Sequence, residues 1–181
     1  MLIRYNKYIF NDKNERNKIG IIITGCDTGF GYELSKKLDK LGYCVIATVL
    51  HNRSIKVLKN ELSNNSYVYQ MNITKKDDII NVYNNINKLI KNNNIILFGI
   101  MNNAGIAICI PWELKTMPLD NMETDILFKS QLNVTRILLP LLYGRNNDTK
   151  NKLNKYDING GRIVNMSSVS KYLPLPWFST Y

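Results

Sequence analysis

Residues 19–24, IGIIIT, form an unbroken apolar run rich in β-branched side chains. With no polar alternation, such a run predicts a strand buried on both faces of a parallel sheet. The period then changes. In YELSKKLDKLG, Leu34, Leu38 and Leu41 recur at helical spacing, and Gly42 supplies a stop. The alternation continues along the chain. YCVIATVL (43–50) reads as a strand, and SIKVLKNEL (54–62) as a helix with Ser54 as its N-cap. SYVYQMN (66–72) reads as a short strand. A helix follows over 74–91, with Thr74 as N-cap and Asp77 and Asp78 in its first turn, where carboxylates complement the helix dipole. IILFGIMNNAG (95–105) is a fourth strand and the loop after it. Residues 117–144 read as one long helix. Its Leu132, Ile137, Leu138, Leu141 and Leu142 are expected to pack on the sheet, and Pro140 to kink its last turns. Residues 145–161 are polar and read as a flexible surface loop, and GRIVNMSS (161–168) as a fifth strand. Strands alternating with helices predict an α/β fold, a doubly wound parallel sheet with helices on both faces.

Composition narrows the function classes. About 45% of the 181 residues are apolar and 21% charged, a globular profile. Cys26, Cys44 and Cys109 are far apart, which argues against a disulfide scaffold or a zinc site and for a reducing compartment such as the cytoplasm. The single histidine, His51, reads as a loop residue. The first 18 residues are polar and charged, and the longest apolar stretch, IILFGIMNNAGIAICI, is broken by two asparagines. Neither fits a signal peptide or a membrane span. The net charge of +10 comes from lysines scattered among asparagines, as in KLIKNNN, with no arginine-rich run. A solvated surface is expected rather than a nucleic-acid partner.

The chemistry is concentrated in TGCDTGFG, between the first strand and the first helix. Its glycines follow G-x-x-x-G-x-G. Gly25 is placed to turn sharply out of the strand, Gly29 to let backbone approach a pyrophosphate, and Gly31 to let the helix pack closely on the sheet. The helix N-terminus then offers N–H groups to phosphate.

Two further motifs stand in order behind that loop: NNAG at 102–105, and GRIVNMSS followed by Tyr181, thirteen positions after Ser168. With these three motifs the chain resembles the short-chain dehydrogenase/reductase family over residues 19–181. Within it, ITGCDTGFG, LFGIMNNAGI and LLPLL are most similar to the branch of retinol dehydrogenases, 17-beta-hydroxysteroid dehydrogenases and D-beta-hydroxybutyrate dehydrogenase. The resemblance implies a Rossmann-like NAD(P)-binding domain over 19–181 behind a polar extension of 1–18. It implies hydride transfer between nicotinamide and an alcohol or ketone, with Ser168 and Tyr181 catalytic. Ser168 would hold the substrate oxygen, and Tyr181 would exchange a proton with it. Ser167, facing away from Ser168 on the strand, would be structural or cofactor-side. Cofactor contacts would fall to Thr24, Gly25, Asp27, Thr28, Gly29, Phe30, Gly31, Asn72, Ile73, Asn103, Ala104 and Gly105. No metal is implied.

Several positions depart from the family pattern. The asparagine of its long helix is Leu127 here, and the glycine after it is Ser130; Asn133, nearly two turns on, reads as a surface residue. The lysine four residues after the active-site tyrosine would fall at 185, past the last residue of this sequence. Five strands are legible against the family's usual seven. The chain therefore reads as a fragment, with an exposed fifth strand, little catalysis of its own and impaired assembly, the full-length product being a homo-oligomer. No acid ends the second strand, where Val49 stands, and Thr28 is not basic; Arg53 is a nearby cation. The Cys26–Asp27 pair before Gly29 points to NAD, with NADP as the alternative. Trp112, Pro176, Trp177 and Phe178 predict an apolar mouth for a retinoid- or steroid-like substrate. The rival readings are a cofactor-binding relic or regulator without turnover, and a basic nucleic-acid binder.

Overall fold

The structure is a computed structural model, and it describes residues 16–142, 161–168, 170 and 172. Five strands form one parallel sheet: β1 (Ile19–Ile23), β2 (Cys44–Val49), β3 (Tyr67–Gln70), β4 (Ile96–Asn102) and β5 (Arg162–Asn165). Their order is β3-β2-β1-β4-β5, so the winding reverses between β1 and β4. The helices are α1 (Gly29–Lys40), α2 (Asn52–Glu61), α3 (Lys76–Asn93), α4 (Met117–Thr124) and α5 (Ser130–Leu142).

Successive strand residues point to opposite faces, and both faces are covered. Ile22, Ile46 and Ile100 meet Ile79, Val82 and Ile86 of α3 and Val134 and Leu138 of α5. On the other face Ile23, Val45 and Ala47 meet Leu58 of α2, with Leu34 and Leu38 of α1 packed beside them. This is the doubly wound, Rossmann-like architecture that the alternating periods predict.

Local details differ from expectation in four places. Helix α2 starts at Asn52 with His51 as its N-cap, so Ser54 lies inside the first turn. Helix α3 starts at Lys76, and Thr74 does not cap it; the Thr74 hydroxyl instead donates to Asn72 Oδ1 at 2.8 Å. The long helix is not uniform, because a π-helical turn, Asp125–Lys129, separates α4 from α5. Leu132 is 43% exposed instead of packing on the sheet, while Val134, Leu138, Leu141 and Leu142 are buried and Ile137 is packed at the edge of the core. Val134, Leu138 and Leu141 repeat at helical spacing, and Leu132 lies off that stripe. Asn133 is exposed, and Pro140 lies inside α5. The 145–160 loop lies outside the described residues. All four residues of β5 are exposed.

Candidate functional site

A cavity of about 590 Å³ runs along the C-terminal edge of the sheet, across the point where the winding reverses. Open α/β sheets bind ligands at this place because the loops there splay to opposite faces. One end is walled by Leu50, Met71, Asn72 and Ile73, and the other by Ile126, Leu127, Gln131, Met166, Ser167 and Ser168.

The glycine loop forms the floor between the two ends. Gly25 has φ +69°, and a Cβ there would lie 2.7 Å from Ala104 Cα. Gly29 has φ +64° and open space where its Cβ would be. Gly31 is buried, and a Cβ there would lie 2.4 Å from Asn103 Nδ2 and 2.6 Å from the Gly25 carbonyl. The N-cap of α1, Thr28, makes no side-chain capping bond, and the first turn carries no acid. The N-terminal N–H groups and the positive end of the helix dipole are therefore matched by no side-chain cap or acid of the first turn, a fit for a dinucleotide pyrophosphate.

Thr24 and Asn103 lock this floor to the end of β4. Thr24 Oγ1 accepts from the N–H groups of Asn103 and Ala104, each at 3.0 Å. Asn103 Nδ2 donates to the carbonyls of Thr24 at 2.9 Å and Gly25 at 3.0 Å. Asn102 works one layer down, where its buried amide donates to Thr135 Oγ1 at 2.9 Å and Asn165 Oδ1 at 2.7 Å. It ties β4 to β5 and α5.

Asp27 fills the place where an acid at the end of β2 would stand. Its carboxylate accepts the Leu50 N–H at 2.7 Å and the His51 N–H at 3.0 Å. Arg53 is exposed and does not line the cavity. At the base of this corner the Cys26 thiol is pushed up to about 12 by burial, with Asp27 adding to the shift and the Thr48 backbone opposing it.

The cavity brings together Gly25, Asp27, Thr28, Phe30, Asn72, Ile73, Asn103, Ala104, Gly105 and Ser168 from the residues expected to act. Thr24, Gly29 and Gly31 shape the floor without forming part of that lining. Tyr181 lies outside the described residues, as do Pro176, Trp177 and Phe178. Two expectations change. Strand β5 ends at Asn165, so Ser167 and Ser168 are not alternate strand residues, and both line the cavity. The Ser168 hydroxyl accepts from Ser170 N at 3.1 Å and Ser170 Oγ at 2.7 Å. Trp112 is 61% exposed and away from the cavity; the apolar end is built by Ile106, Ala107, Ile126, Leu127 and Met166. Gln131 and Met166 carried no signal in the sequence, since helix phase after the π turn and loop path after β5 place them.

The sequence model described as short chain dehydrogenase matches residues 20–181. The chain belongs to the short-chain dehydrogenase family. It is 32% identical over 164 residues to estradiol 17-beta-dehydrogenase 2 of Rattus norvegicus, an alignment covering 89% of this chain and 39% of that protein. It is 33% identical over 165 residues to 11-beta-hydroxysteroid dehydrogenase type 2 of Bos taurus, covering 89% and 37%. The chain thus spans about two fifths of the length of these relatives. In fold it matches a 3-ketoacyl-(acyl-carrier-protein) reductase from Brucella melitensis complexed with NADH, with a TM-score of 0.74 at 19% identity, covering 91% of this chain and 62% of that one.

Proposed function

We propose that the chain carries the cofactor half of an oxidoreductase that moves a hydride between NAD(H) and a lipophilic alcohol or ketone. The observation that carries this reading is a continuous cavity joining the glycine floor, open at Gly29, to Ser167 and Ser168. Bound there, the nicotinamide would supply the hydride chemistry. The chain's own residues do the rest. The α1 N-terminus holds the pyrophosphate, and Asn72 and Ile73 flank the adenine end. Ser168 presents a hydroxyl to the substrate oxygen. Tyr181 is assigned, by its spacing from Ser168, to exchange a proton with that oxygen. The apolar end of the cavity favours retinoid- or steroid-like substrates, in keeping with the names of the relatives. No helix among the described residues is long and apolar enough to cross a membrane. The buried thiols Cys26 and Cys44 suit a reducing, cytoplasmic setting, and the full-length product is proposed to form homo-oligomers.

The preference for NAD rests on Asp27. Two backbone N–H groups fix its carboxylate beside Leu50, in the wall of the adenosine end. A fixed negative charge there repels a 2′-phosphate. Fluorescence titration tests the reading: NADH is expected to bind at least tenfold tighter than NADPH, and Asp27→Asn to narrow that gap. Equal affinities would remove the NAD assignment, and binding of neither would remove the site.

A second reading, cofactor binding without turnover, draws on Leu127 in the cavity wall where the family pattern has asparagine. It predicts NADH binding with no oxidation of apolar alcohols by the full-length product.

A further inference from the structure

The irregular loop between β4 and α4 forms one wall of the cavity through Gly105, Ile106 and Ala107. A 3₁₀ turn at Trp112–Leu114 is its only regular element. Long loops of this kind ordinarily move. Here a carboxylate buried beneath the loop engages it at two points. Glu123 of α4 is completely buried. Its Oε1 accepts the Ile108 N–H at 2.7 Å, and its Oε2 pairs with Lys115 Nζ. The Lys115 side chain is 1% exposed, and its Nζ also lies 3.2 Å from Asp120 Oδ1. One side chain thus takes a backbone N–H from the middle of the loop and a cation from its far end. A buried carboxylate needs both kinds of partner to offset the loss of water.

We propose that Glu123 is a positioning residue for the cavity, clamping the loop so that the wall at Gly105–Ala107 is set before ligand arrives. Its effect on ligand binding rests on the reading of the cavity as a nicotinamide site; the clamp itself does not. Lys115 is the counter-charge that faces Glu123, and Asp120 shares it.

Amide hydrogen exchange on the 181-residue chain, with NADH titration and thermal melting alongside, tests the proposal. In the unaltered chain the Ile108 amide is expected to exchange at least a hundredfold slower than an unstructured amide, and fast exchange there overturns the clamp without any variant. Glu123→Ala removes the acceptor. Exchange over 104–110 is expected to rise at least tenfold with β1, β2 and β4 still protected, and the NADH Kd to rise at least fivefold. Glu123→Gln keeps an oxygen for Ile108 but loses the buried ion pair with Lys115, so both readouts are expected to fall between those of the unaltered chain and of Glu123→Ala. A merely structural role predicts instead a lower Tm with uniform loss of protection, or no recovery with glutamine, and either overturns the proposal. If the unaltered chain binds no NADH, the cofactor reading fails while the exchange data still decide the clamp.

Discussion

At the residue scale, the two inner glycines of the loop separate packing from binding. A methyl group at Gly31 meets Asn103 Nδ2 and the Gly25 carbonyl well inside contact distance, and neither is the loose end of a long side chain. Gly31→Ala is expected to destabilise the fold by about 1–3 kcal/mol in urea unfolding, the usual range for overpacking. A methyl at Gly29 meets nothing, and the left-handed backbone alone sets the stability loss at about 1–2 kcal/mol. The same methyl projects into the space assigned to pyrophosphate, so Gly29→Ala is expected to weaken NADH binding more than tenfold in a fluorescence titration. The turns at Gly25 and Gly29 were legible because a left-handed backbone is a local demand, whereas the crowding at Gly31 comes in part from Asn103, far along the chain. The role of Asp27 was legible only in part. It stands in the loop, yet its acceptor work is done at the end of β2, 23 and 24 residues further along the chain.

At the scale of elements, the helix over 117–142 shows where periodicity is decisive and where it is not. Leu138 is fully buried against the sheet, and Leu132 is 43% exposed. Leu138→Ala is expected to lower stability by about 2–5 kcal/mol, and Leu132→Ala by less than about 0.5 kcal/mol. Paired denaturation curves check both, and equal losses would put the helix in a different rotation. The sequence left that rotation open because LLPLL is apolar on several sides at once. The π turn at Asp125–Lys129 then shifts the phase of everything upstream, bringing Ile126 and Leu127 to the cavity. Glu123 was invisible for a related reason. A carboxylate in an amphipathic helix reads as solvent-facing until a lysine and an amide of the preceding loop are seen to enclose it.

At the scale of the whole molecule, two buried thiols contribute to the response to alkali. Burial, reinforced by Asp27, pushes Cys26 up to about 12; burial, reinforced by Asp39, does the same to Cys44. An unfolded thiol ionises near pH 8.5. The folded state holds both in the neutral form, so their contribution is intact below about pH 8.5 and is lost as pH rises from there towards 12. Each thiol adds a slope of about 1.4 kcal/mol per pH unit in that window. Lys115 acts in the same direction. Burial works against its charge, but Glu123 and Asp120 outweigh that effect and hold its pKa above the ordinary lysine value, so its contribution also fades at alkaline pH. Urea unfolding at pH 7.5 and 10.5 checks the slope, and Cys26→Ala with Cys44→Ala is expected to reduce it. Strand β5 predicts a second global property. Ile163 and Val164 are 40% and 49% exposed, and among the described residues no strand pairs with its outer edge. Sedimentation of the 181-residue chain is expected to show concentration-dependent association, reduced by Val164→Lys, because exposed apolar edges template pairing and lysine blocks it.

The sequence by itself determined the order of the strands and main helices, the parallel sheet and the glycine turn. Each follows from side-chain period or backbone freedom within about ten residues, and IGIIIT, the Leu34–Leu38 spacing and TGCDTGFG leave few alternatives. Tertiary structure alone decided what closes the site. It brought Asp27 to the end of β2, turned Ile126 and Leu127 inward, set both Ser167 and Ser168 on the cavity and buried Glu123 under the loop. These depend on the rotation of a helix and the path of a loop, set by contacts between residues far apart in the chain, and no local pattern records them.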